Sequence, residues 1–138
     1  MTIPMWVLLA FASWTLFILM ATVGIYRWAL ILTGRAEIKA FRADDVHGSD
    51  FYKLAMRAHA NCVENLVVYA AIVVVLFAAG LDRTFLDVMA LVILGARIVH
   101  TAIHVALSQT NVVAGFRFGF FFIQLLCMLG MIGYVVIA

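Results

Sequence analysis

Three sets of polar side chains stand out in a chain otherwise short of them. Arg57, Asn61 and Glu64 fall at i, i+4 and i+7, and Arg97, His100 and His104 at i, i+3 and i+7. On a helix each set shares one face about two turns long. Arg117 begins a third set, and Gln124 follows it on the same side. Guanidinium forks hold carboxylates through paired hydrogen bonds, and a glutamate takes an ammonium. The collection therefore suits a small ligand carrying two carboxylates and one ammonium. An arginine beside a thiol would also favour the thiolate, which is its nucleophilic form.

The elements that must carry these residues lie in a membrane. Of 138 residues 67% are apolar and only 12% charged, whereas a soluble domain carries about 25% charged residues. A formal net charge of +2 is too small to argue for nucleic acid. Crossing a bilayer takes about 20 apolar residues, and four stretches are long enough, at approximately 5–32, 58–81, 88–107 and 112–137. The expectation is an all-α, integral membrane four-helix bundle forming one domain over residues 1–138, with a cytoplasmic loop at 33–57. Residues 1–26 carry no charge and no basic n-region, which reads as a retained first helix and not as a cleaved signal. Cys62 and Cys127 lie inside apolar stretches; Cys62 reads as a packing residue and Cys127 as lipid-facing or packed.

Orientation follows from the basic residues. Arg35, Lys39, Arg42 and Lys53 lie in the first connection, where Asp44, Asp45, Gly48, Ser49 and Asp50 supply turn chemistry. The positive-inside rule then puts the first and third connections in the cytoplasm and both termini outside. On that topology Arg57 to Glu64, His100 to His104, and Arg117 converge towards the cytoplasmic ends of their helices, with Arg97 deeper. An ionisable group at membrane depth costs at least about 2.5–3.5 kcal/mol, so each needs a partner or a functional role. Glutathione, with two carboxylates, one ammonium and a thiol, is a ligand of the required kind. The same residues would also serve as polar contacts between helices, and Arg117 could reach the headgroups.

The run from Arg57 through His59, Asn61 and Glu64 to Leu66 resembles the signature R-x-H-x-N-x-x-E of the MAPEG family, the membrane-associated proteins in eicosanoid and glutathione metabolism. Thr33-Gly34 with Phe41 is similar to the segment closing that family's first helix. Gly95 to Thr101, containing Arg97 and His100, resembles its third-helix G-R-x-x-H-T stretch, and Arg117 falls where an arginine opens the fourth.

The resemblance implies a homotrimer with glutathione bound between subunits and open to the cytoplasm. Arg57, Asn61 and Glu64 would hold the glutathione backbone, His100 and His104 would belong to the same binding set, and Arg97 would support or contact it. Arg117 would be the catalytic residue, lying against the sulfur and stabilising the thiolate. The expected activity is a glutathione transferase, with peroxidase activity towards lipid hydroperoxides as a variant. It would take a hydrophobic electrophile from the bilayer and need no metal. The chain departs from members resembling prostaglandin E synthase: His104 and Phe118 stand where those carry a tyrosine and a serine, and Glu37 stands where a basic residue is expected. These departures favour general transferase or peroxidase chemistry, and the compact chain without a retention signal suggests a bacterial inner membrane. The alternatives are a non-catalytic member that binds a lipid or a partner, and a small four-helix exporter. The exporter lacks support because residues 1–26 contain no acid.

Overall fold

The computed structural model describes residues 1–41, 48–107 and 110–138. Among these, four helices are long and apolar enough to cross a membrane: α1 (Ile3–Leu32), α2 (Asp50–Ala78), α3 (Thr84–Ala106) and α4 (Asn111–Ile137). The chain is thus a four-helix integral membrane protein. Each helix is longer than the 20 or so residues that cross the hydrocarbon, so their ends reach into the interface.

Local chemistry sets the ends. Pro4 lies in the first turn of α1, where a missing N–H costs nothing. Ser49 Oγ accepts from the backbone N–H of Tyr52 at 3.2 Å, and Thr110 Oγ1 accepts from that of Val113 at 3.2 Å; both are N-caps. α1 and α2 end at Gly34 (φ 72°) and Gly80 (φ 65°), a left-handed conformation that glycine adopts without steric cost.

The Ser49 cap changes one expectation. The second helix begins at Asp50, so the connection from α1 covers 33–49 and not 33–57. Apolarity marks the part of a helix inside the hydrocarbon; hydrogen bonding carries the helix past it, and Lys53 and Arg57 are already helical. Within that connection Arg42, Asp44 and Asp45 lie outside the described residues.

α1 is not uniform. Leu19–Gly24 form a π-helical segment between α-helical stretches, and Thr22 Oγ1 donates to the carbonyl of Ile18 at 2.5 Å. This segment packs on α2, around Val23, Tyr52 and Ala55, with Tyr26 stacked on Tyr52 at 4.3 Å. Arg27 Nε donates to the Tyr52 hydroxyl at 2.9 Å, and its guanidinium lies 5.5 Å from the Phe41 ring. The basic end of α1 is thereby held on the loop end of α2.

The main apolar core occupies the opposite half of the bundle. Phe11 stacks on Tyr69 at 6.1 Å, packed with Ile72, Leu86, Ile93 and Met131. The Tyr69 hydroxyl donates to the carbonyl of Pro4 at 2.9 Å. Cys127 is buried in this core and so is packed, not lipid-facing. A layer of buried polar side chains separates the two apolar clusters.

Candidate functional site

The polar layer is centred on Arg97, which is 0% exposed. Its Nε donates to Gln124 Oε1 of α4 at 2.9 Å, and its Nη1 donates to Asn61 Oδ1 of α2 at 2.6 Å. The guanidinium also sits 6.0 Å from the Phe11 ring of α1, within cation–π range. One arginine of α3 therefore touches all three other helices. Two amide oxygens and a ring face replace part of the hydration that a buried cation loses.

The partners are themselves held. Gln124 Nε2 donates to the carbonyl of Phe120 at 3.1 Å, and Asn65 Nδ2 donates to the Asn61 carbonyl at 2.8 Å and to Asn61 Oδ1 at 3.3 Å. Thr101 Oγ1 donates to the Arg97 carbonyl at 2.8 Å. That leaves the Thr101 oxygen to accept from the Cys62 thiol 3.3 Å away, with Arg97 Nη1 3.7 Å from the same sulfur. Cys62 is thus a packing residue with two polar neighbours.

His100 and His104 follow Arg97 along α3, at 4% and 8% exposure. Their rings meet edge to face at 5.8 Å, and His100 also lies 6.3 Å from Phe121 of α4. His104 lies within electrostatic reach of Arg117, Arg57 and Arg97, and His100 within reach of Arg97 and Arg117. Residues from three helices thus meet in one neighbourhood towards the loop ends of α2 and α3. Arg117 is half-buried there. His59 is placed elsewhere, in the neighbourhood of Thr15 and Arg27 of α1.

Two of the polar residues stay outside this network. Arg57 and Glu64 are exposed on the outer flank of α2. Among the described residues neither side chain makes a hydrogen bond or an ion pair inside the subunit. Arg57 lines a cavity of about 570 Å³ between the start of α2 and the end of α3. Asn61 stands between the two sets: its oxygen faces Arg97, and its NH2 group remains as a donor.

The phenylalanines of α4 divide by face. Phe121 meets His100, whereas Phe118 and Phe122 stack on each other at 6.0 Å on the outer surface. Phe116 and Phe120 flank an apolar groove of about 410 Å³ over Gly115 and Gly119.

Sequence reasoning placed Gln124 on the polar face of α4 and Thr101 in the third-helix motif without giving either a partner, and it gave no role to Phe11. Gln124 had a usable signal: an amide amid the apolar residues of α4 needs a partner at depth, and Arg97 is the one charged residue in the matching part of α3. The ring of Phe11 carried no such signal.

The model of the MAPEG family matches residues 4–137 of the chain. No curated protein and no solved structure matches it.

Proposed function

Because the chain belongs to the MAPEG family, whose members act in eicosanoid and glutathione metabolism, we propose that it is a membrane-bound glutathione transferase with peroxidase capacity. The carrying observation is the division of its polar residues. Arg97, Asn61, Gln124 and Thr101 bond to one another, while Arg57 and Glu64 lie exposed with no bonding partner among the described residues of the subunit. Charged side chains left so in a membrane helix need something from outside the subunit.

Glutathione meets that need. Its ammonium pairs with Glu64, a carboxylate pairs with Arg57, and the free Asn61 NH2 donates to the peptide. A neighbouring subunit closing over the outer flank of α2 would shield these charges from lipid, which supports a homotrimer with glutathione between subunits. The basic loop supports a cytoplasmic mouth and external termini.

Arg117 holds the glutathione sulfur as a thiolate by charge stabilisation. In transfer, the sulfur lone pair forms a bond to the electrophilic carbon, and the leaving group departs with its electron pair. In peroxide reduction the sulfur attacks the distal oxygen of a hydroperoxide. The O–O bond breaks, the alkoxide takes a proton to leave as the alcohol, and the sulfenic acid condenses with a second glutathione to disulfide and water. The apolar acceptor arrives through the bilayer.

The test is a titration of the detergent-purified protein with glutathione, following heat of binding and the thiolate absorbance together. Binding with a growing thiolate band is the expected result. Binding without the band would support the non-catalytic member of the family, and no binding would return the outer charges to a subunit-contact role.

A further inference from the structure

The cavity beside Arg57 contains a second cation without a role in the reading above. Its walls are Asp50, Phe51, Lys53 and Arg57 of α2 together with Val105 and Leu107 at the end of α3. Lys53 precedes Arg57 by one turn, so both occupy the face of α2 that carries Glu64. Among the described residues the Lys53 side chain makes no hydrogen bond or ion pair, and Asp50 on the same rim pairs with neither cation. Two cations and one acid make this enclosure an anion receptor with apolar walls.

Lys53, Arg57 and Glu64 follow one another along this face of α2, Lys53 nearest the loop; Lys53 and Arg57 line the cavity, and Glu64 lies about two turns beyond Arg57. An ammonium at Glu64 fixes the γ-glutamyl end of glutathione at the deep end, since ammonium and α-carboxylate share one carbon. The glycyl carboxylate then points to the mouth. The rise from Lys53 to Glu64 is about 16 Å along the helix axis, and a fully extended tripeptide spans about 11 Å. The flexible four-carbon stem of lysine and the two further methylene groups of the γ-linkage cover the difference.

Resting on the glutathione reading above, we propose that Lys53 is a glutathione-binding residue that takes the glycyl carboxylate at the mouth of the site. Lysine suits this position because at the interface it acts as a mobile point charge that can follow an entering ligand, where the arginine fork below requires a set geometry.

The test compares glutathione with its glycyl monoethyl ester, in which that carboxylate is neutral, on the wild-type protein, Lys53→Ala and Lys53→Arg. Esterification is expected to weaken binding to the wild type about tenfold, an increment typical of one charge-assisted contact. Lys53→Ala is expected to bind glutathione about tenfold more weakly and to show no further loss with the ester. Lys53→Arg is expected to keep most of the affinity and of the discrimination. Equal losses for both ligands in Lys53→Ala, or no loss for either, would overturn the assignment while leaving the glutathione site in place. Failure of the wild type to bind glutathione would overturn both.

Discussion

Arg97 donates from Nη1 to Asn61 Oδ1 at 2.6 Å, and that contact fixes which way the Asn61 amide faces. An amide has one acceptor end and one donor end. With the oxygen turned to the guanidinium, the NH2 group is the end Asn61 offers to a ligand. On the glutathione reading proposed above, Arg97 would act on the ligand through Asn61, as a positioning residue.

Removing the guanidinium leaves Gln124 Oε1 without its donor and Asn61 Oδ1 with only the longer bond from Asn65 Nδ2. A buried polar atom so orphaned costs about 1–3 kcal/mol. Arg97→Met is expected to lower the thermal midpoint in detergent strongly. Gln124→Leu alone should also destabilise, by leaving Arg97 Nε unpaired, whereas the double variant Arg97→Met/Gln124→Leu should lose less than the sum of the two. Strict additivity would show that the two side chains do not share one network.

The same residues show what was legible from the sequence. Four spans followed from runs of apolar residues, because the cost of burying charge in hydrocarbon leaves few other readings of them. The start of α2 did not, because Ser49 caps the helix before apolarity begins. The Arg97 pairing with Asn61 was out of reach for a different reason. Helical spacing gives the face a residue occupies on its own helix, but not how neighbouring helices are rotated against one another. The π-helical segment Leu19–Gly24 has no marker in the spacing of its apolar residues.

Arg57→Ala and Glu64→Gln change residues that bond to none of the described residues within the subunit. Each is expected to weaken glutathione binding by tenfold or more, in line with about 1.5–3 kcal/mol for a hydrogen bond to a charged group. The helical content of the detergent-solubilised protein should stay unchanged by circular dichroism. Loss of helix with unchanged affinity for glutathione would mean that these charges support the fold.

Arg117→Ala is expected to keep glutathione binding within a few-fold and to cut turnover at neutral pH by about 10²–10³, as for loss of one charge-stabilising donor at a reacting atom. The sign of the pH effect follows. A cation beside the sulfur lowers the thiol pKa, so removing it raises that pKa towards the free-thiol value of about 8.5. The activity of the variant should therefore climb with pH over a range where the wild type has levelled off. Parallel pH profiles would exclude Arg117 from thiolate stabilisation.

The acceptor side is best tested through the groove over Gly115 and Gly119. A Cβ built on either glycine meets nothing within 4 Å, so the side chain of Gly119→Val starts into open space. It takes up part of a groove of about 410 Å³ that Phe116 and Phe120 flank. A bound apolar acceptor would make contact there without any polar recognition, because the walls offer only hydrocarbon and ring surface. Gly119→Val is expected to raise KM for bulky hydrophobic electrophiles several-fold while leaving the affinity for glutathione unchanged. Small electrophiles should be less affected, since they leave part of the groove empty. An unchanged KM across the whole size series would identify the groove as a lipid contact and move the search for the acceptor to the outer face of Phe118 and Phe122.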